Sequence, residues 1–264
     1  MIIYKSREEI EDIKKSNQIV GKILSELRKM IEPGITTKEL DRYAEKRALE
    51  SGSRPAFKGY RGYPASLCTS INEEIVHGIP SSRKLKNGDI ISLDFGVEYN
   101  GLYGDAAITC PVGDVSAQAK ELISVAEEAF YKGFDIIEKG KRLSDISHAI
   151  QNHVESFGFS VIRTFVGHGI GYSLHEDPQI PNFGPPGHGP VLKTGMVLSI
   201  EPMISMGDWH VEILEDDWTA ITRDRSLSAH YEHTLAITDN GPIILSRFED
   251  EQLCGKDKKE IQNA

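Results

Sequence analysis

Apolar residues at Ile10, Ile13, Val20, Ile23, Leu24, Leu27, Met30 and Ile31 recur at helical spacing, behind a capping-box pattern made by Ser6 and Glu9. They predict a long amphipathic helix that ends at Pro33-Gly34. A second cap, Thr36 with Glu39, opens a helix carrying Leu40, Tyr43 and Ala44 that stops near Gly52. The pattern then changes to strands. Residues Cys68 to Val76 and Asp89 to Glu98 are rich in β-branched and apolar side chains, and Asn100-Gly101 is a tight-hairpin signal before a strand from Leu102 to Val112.

The same order returns in the second half. Ser116 to about Glu138 and Leu143 to Phe157 are helical in pattern, the second ending at Gly158, and strands follow. The run from Lys86 to Asp94 also aligns without gaps on the run from Lys193 to Glu201, with Lys, Gly, Ser and an acidic last residue coinciding. Duplication explains both observations. Two similar halves, about 1–113 and 114–246, would face each other and bring Asp94 and Glu201 to one central site.

Composition narrows the class. The 264 residues are 39% hydrophobic and 27% charged, as in soluble globular proteins, and the net charge of −10 argues against broad binding to nucleic acid or anionic membranes. The opening residues lack an apolar core of signal-peptide length, and no run reaches the ~18 apolar residues of a membrane span. Three scattered cysteines, Cys68, Cys110 and Cys254, form no framework pattern and fit a reducing compartment. A cytoplasmic protein is expected. Residues 247–264 are charged and poor in apolar side chains, which predicts a solvated, flexible tail in which Cys254 is incidental.

The candidate chemistry lies in acids and histidines. If Asn100-Gly101 is a two-residue hairpin turn, Asp94 pairs with position 107, so Asp105 shares its face as a diagonal neighbour. Two like charges in so apolar a setting need a cation, or else one faces water or a basic side chain. The hairpin alone leaves both readings open. Glu201 closes the apolar run Met196 to Ile200, and Glu232 precedes the apolar Leu235-Ala236-Ile237, so each half supplies two acids. His168 sits among glycines that allow close backbone approach, but the run lacks the spacing of a phosphate loop. Taken singly, His77, His168 and His175 read more readily as structural than as chemical histidines. Four carboxylates and an imidazole together can hold two divalent ions with a water between them, which is machinery for hydrolysis.

These residues stand in a wider pattern. It comprises the segment from Asn72 to Pro80, Asp94 with Asp105, Gly167 to Gly171 with His175-Glu176, Ser199 to Pro202, and Ser226 to Thr234. The pattern resembles the type I methionine aminopeptidases, over nearly the whole chain. That resemblance implies an α/β pita-bread fold: one catalytic domain over residues 1–246, its two pseudo-symmetric halves each of two helices and antiparallel strands around a central curved sheet. It implies Asp94, Asp105, His168, Glu201 and Glu232 as ligands of two divalent metal ions (Co, Mn, Fe or Zn), with Asp105 and Glu232 bridging. It further implies Glu201 as proton shuttle and His77 and His175 as substrate-contacting catalytic groups outside the metal shell. A methionine pocket of Tyr60, Tyr63, Cys68 and Trp218 is implied too, with Phe57 and Leu174 where related bacterial enzymes often carry Cys and Phe. Without the resemblance, Tyr60 and Tyr63 read as ordinary half-buried tyrosines.

The function implied is removal of N-terminal methionine from nascent proteins and peptides by a hydroxide held between the metals, with a small second residue preferred. Peptide N-termini beginning with Met are then the partners, a ribosome contact is a further option, and neither specific nucleic acid nor membrane is expected. A monomer is expected. Rival readings are a pita-bread binding protein that has lost its ligands, a proline-specific peptidase of the same fold, and a metal-storing protein. The first is disfavoured because all five ligands are present, and the second because such enzymes need a preceding domain. The third does not explain His77 and His175.

Overall fold

A computed structural model describes residues 1–138 and 140–249. Its first half contains α1 (Arg7–Met30), α2 (Thr37–Glu50), β1 (Arg54–Pro55), β2 (Cys68–Ile71), β3 (Glu74–Val76), β4 (Ile90–Tyr99) and β5 (Leu102–Pro111). The second contains α3 (Ala117–Asp135), α4 (Leu143–Ser156), β6 (Ser160–Val161), β7 (Gly167–Gly169), β8 (Glu176–Ile180), β9 (Val197–Ile200) and β10 (Met203–Ser205). It continues with β11 (Val211–Ile213), β12 (Ala220–Thr222), β13 (Ser228–His230), β14 (Glu232–Thr238) and β15 (Gly241–Ile244).

Both expected caps are made. Ser6 and Thr36 each accept a hydrogen bond from the backbone N–H three residues on, and Glu9 and Glu39 reach back to the cap N–H groups. Asn100 and Gly101 both take positive φ, 54° and 81°, as a hairpin turn matched to the strand twist requires. The resulting register puts Asp94 opposite Ala107 and Gly96 opposite Asp105. Cys68 to Val76 is broken rather than continuous: β2 pairs with β4, whereas β3 leaves for a second sheet with β12. Asn72 makes that departure at φ 58°, its side chain accepting from Ile90 N and donating to Asp89 Oδ1.

The main sheet runs in the order β1-β4-β5-β14-β9-β7-β8, with β2 also on β4 and β15 on β14. The halves of the chain meet where β5 pairs with β14, through Ala107 opposite Glu232 and Ala106 opposite His233. Alternation along the strands separates two faces. Leu93, Phe95, Val97, Ala106, Ile108, Leu198, Ile200 and Leu235 belong to one large core shared with all four helices. Asp94, Asp105, Ala107, Glu201 and Glu232 have the opposite parity.

Helix α1 closes the sheet where β5 diverges from β14. Asn17 Oδ1 accepts from the Asp105 N–H there, and a methyl group on Gly104 would stand 2.7 Å from Asn17 N and 2.8 Å from Ser16 C. Those are backbone atoms, so the contact cannot relax by a rotamer change. Gly104→Ala is therefore expected to destabilise by ~1–3 kcal/mol, the usual cost of overpacking. Thermal unfolding would register it as a fall of roughly 2–4 °C per kcal/mol. An unchanged melting temperature would show that α1 is not held so closely.

Arg247, Phe248 and Glu249, the start of the expected flexible tail, lie against the fold, with Phe248 buried, Arg247 half-buried and Glu249 exposed. Phe248 is buried in the large core and Glu249 N donates to Ser25 Oγ of α1. The remainder of that tail, including Cys254, lies outside the described residues.

Candidate active site

Five neighbouring strands each bring one candidate ligand to the same face. Asp94 lies on β4, Asp105 on β5, Glu232 at the start of β14, Glu201 just past β9, and His168 on β7, in the order of the sheet. Asp94, Ala107 and Glu232 are consecutive cross-strand partners, and Glu201 lies one residue beyond the Ile200–His233 pair, so all four fall in one row. Ala107 is the small residue in that row, and it leaves the space that the acids surround. His168 pairs with Ser199, two residues from Glu201.

The geometry fits cations rather than direct pairing among the side chains. His168 Nε2 is 3.6 Å from Glu201 Oε1 and 4.0 Å from Asp105 Oδ2, too far for hydrogen bonds. Donor atoms about 2.0–2.2 Å from a shared ion would stand at such separations. Asp94 Oδ1 and Asp105 Oδ1 are buried with no hydrogen-bond partner. No lysine or arginine pairs with these four acids in the described ion pairs. Asp105, His168 and Glu232 present ligand atoms within 4.8 Å of one another.

Protonation follows from the same crowding. Burial first, then the charge of Glu232, raises Asp94, and burial with the charges of Glu232, Asp94 and Glu201 raises Asp105. Burial with Glu232 and Asp94 raises Glu201. Burial also lifts Glu232, to about 7, against a hydrogen bond from Ser199 that lowers it. His168 moves the other way, to about 4, because burial disfavours its cation. Its Nδ1 contacts the Gly169 carbonyl at 2.9 Å, which assigns that nitrogen the proton and leaves the Nε2 lone pair facing the acids.

The cleft above this floor gathers the other expected residues. Phe57, Tyr60, Tyr63, Cys68, His77, Leu174, His175 and Trp218 line it together with all five candidate ligands and Arg61. Tyr63 is buried, stacked edge-on to Trp218 at 5.1 Å, and its hydroxyl donates to the Gly78 carbonyl at 2.9 Å. Cys68 is the β2 partner of Asp94, which places its thiol beside the acids. Leu174 and Phe57 are buried in the same small core. His77 projects from a residue at φ 63°, an unusual backbone for a histidine, and packs edge-on against Phe165 and Trp218. Burial lowers it to about 4, so it is neutral near pH 7.

His175 stands at the mouth of the cleft, partly open to solvent, with its ring 4.3 Å from that of His168. Its Nδ1 meets the Tyr60 hydroxyl at 2.8 Å. Desolvation by the cleft walls, then the neighbouring His168, Arg61 and His77, holds it below the usual histidine value.

Several supporting residues escaped the sequence reading. Glu176 accepts from Tyr172 N and Ser173 N and pairs with the buried Lys5, which fixes the turn carrying Leu174 and His175. No local signal joins Lys5 to Glu176 across the chain. Asn182 donates to the Glu201 carbonyl, and Thr234 to that of Asp105. His230 was also passed over, although its position two residues before Glu232 on extended chain puts it on the same face. Its Nε2 lies 3.7 Å from Glu201 Oε2 and 3.9 Å from Glu232 Oε2.

Residues 11–239 match the model of metallopeptidase family M24. The chain is 53% identical to methionine aminopeptidase 1 of Bacillus subtilis, over 94% of this chain and 100% of that protein. The crystal structure of methionine aminopeptidase from Thermotoga maritima superposes with a TM-score of 0.92 at 51% identity, covering 94% of this chain and 100% of that one. A prolidase from Pyrococcus furiosus reaches only 0.75 at 25% identity, and this chain spans 66% of it.

Proposed function

The chain belongs to metallopeptidase family M24, with methionine aminopeptidases as relatives along almost its whole length, and on that premise we propose that it removes N-terminal methionine from peptides and new proteins. The observation that carries the proposal is the convergence, on one cleft, of five candidate metal ligands at the floor and an aromatic and thiol wall above them.

Asp94, Asp105, His168, Glu201 and Glu232 would hold two divalent cations, with Asp105 and Glu232 shared between them. Bound there, the cations supply Lewis acidity that makes water nucleophilic near neutral pH and polarises the scissile carbonyl. Glu201 takes the proton from the attacking water and passes it toward the departing amine. With the Tyr60 hydroxyl donating to Nδ1 of His175, Nε2 carries the ring proton and offers it to the oxyanion as the tetrahedral centre forms. His77 hydrogen-bonds the substrate near the scissile amide. Both imidazoles act as neutral donors, consistent with pKa values held down in the cleft.

Tyr60, Tyr63, Cys68 and Trp218, with Phe57 and Leu174, form the methionine pocket. A thioether gains from such walls, because sulfur contacts with aromatic rings are favourable and an unbranched side chain adapts to them. The residue after methionine is expected to be small. The place of action is the cytoplasm, where new chains emerge, whether or not the ribosome itself is contacted; among the described residues no helix is long and apolar enough to cross a membrane.

Metal-loaded protein should release methionine from Met-Ala-Ser and act at least about tenfold more slowly on Met-Lys-Ser, a preference of at least ~1.4 kcal/mol. Following free methionine from the two peptides at equal concentration checks this. Comparable rates would contradict the small-residue preference, and no release from either would contradict the activity.

A further inference from the structure

We propose that His230 supplies a second imidazole to the metal centre, its Nε2 coordinating a divalent cation on the Glu201–Glu232 side. This goes beyond the five ligands considered above and rests on the reading of the cleft as a metal centre.

The backbone at His230 is fixed. It ends β13 opposite Met203, its N–H donates to Thr109 Oγ1, and its carbonyl accepts from the same hydroxyl. Thr109 is held in turn by Ser92. The ring is 1% exposed, and both of its nitrogens lack a hydrogen-bond partner among the described residues. Buried imidazoles ordinarily find one. Glu201 Oε2 and Glu232 Oε2, at 3.7 and 3.9 Å, are too distant to accept from Nε2. The three atoms instead have the separations of ligands around one ion, and all lie within 4.8 Å of one another.

The donor set supports the same conclusion. Glu201, His230 and Glu232 offer two carboxylates and one imidazole, the composition also offered by Asp105, Glu232 and His168. Two nests of equal chemistry thus share Glu232. Imidazole nitrogen among carboxylate oxygens suits Mn, Fe, Co or Zn, and a second nitrogen further disfavours the oxygen-seeking Mg and Ca.

The test is X-ray absorption of the full chain loaded with two equivalents of Co(II), with cobalt binding followed by calorimetry. The parent should show one imidazole per cobalt on average. His230→Gln should halve that count and weaken one of the two binding events at least about tenfold, since even loss of an outer-shell partner costs 10–100-fold. His168→Gln should also halve the count. One imidazole per two cobalt ions in the parent, or an unchanged count and unchanged affinities in His230→Gln, would overturn the role of His230 while leaving the metal centre intact. Failure of the parent to bind cobalt would overturn both.

Discussion

Asp105→Asn is expected to lower kcat/KM on Met-Ala-Ser by at least about 10³-fold while the fold stays intact. Deleting a single oxyanion donor costs about 10²–10³ in other hydrolases, and Asp105 lies on the central β5, two residues from Ala107, the residue that pairs with both Asp94 on β4 and Glu232 on β14. An amide cannot share a full negative charge between two cations. The fold does not need that charge. Burial and the charges of Glu232, Asp94 and Glu201 raise the folded-state pKa of Asp105 above its unfolded value, so the acid is a cost to the metal-free fold once the pH exceeds the ordinary carboxylate range near 3.8. That cost is absent below this range and grows as pH rises. In chelator, Asp105→Asn should therefore melt at the parental temperature near pH 4 and higher than the parent at pH 8, by roughly 2–4 °C for each kcal/mol relieved. Turnover near the parental rate, or a lower melting temperature at pH 8, would contradict this account.

Removal of the metal should separate the loaded and metal-free proteins by an amount that depends on pH. Glu232, at about 7 in the fold against an ordinary 4.5, binds its proton more tightly when folded, so its contribution is lost as pH rises through that window. His168 and His77, at about 4 against 6.5, have the opposite sign, and their contribution is lost as pH falls below 6.5. Above pH 6.5 only the acids matter, and the metal-free protein should lose stability with rising pH. Cations relieve the repulsion. At a free-ion concentration of 100 Kd each bound ion adds about 2.7 kcal/mol, or roughly 5–10 °C. Melting curves from pH 6.5 to 8, with and without chelator, should diverge. Superimposed curves would mean that the acids hold no ion.

Much of this site is written in short stretches of sequence. Asn100-Gly101 determines the turn, the turn determines the register, and the register places Asp94 and Asp105 on one face, so three adjacent decisions are all local. The capping boxes at Ser6 and Thr36 are local in the same way. Strand order is not. Nothing near Glu232 says that β14 inserts between β5 and β9, because that choice depends on long-range packing of the two halves. The break at Asn72 was hidden because β2 and β3 have similar composition but enter different sheets. Tyr63 could not be separated from an ordinary half-buried tyrosine until its hydroxyl was seen to meet the Gly78 carbonyl and its ring Trp218. Lys5 and Glu176 find each other across the fold, and Phe248, inside an otherwise polar stretch, is buried against the rings of Tyr231 and His233.

The most direct measurement is methionine released from Met-Ala-Ser by one preparation, first as loaded with Mn, Fe or Co, then after exhaustive chelation, then after the ion is returned. Steady release, loss to background and recovery of the original rate are expected in turn. Release that continues unchanged through chelation would contradict a metal-dependent reaction.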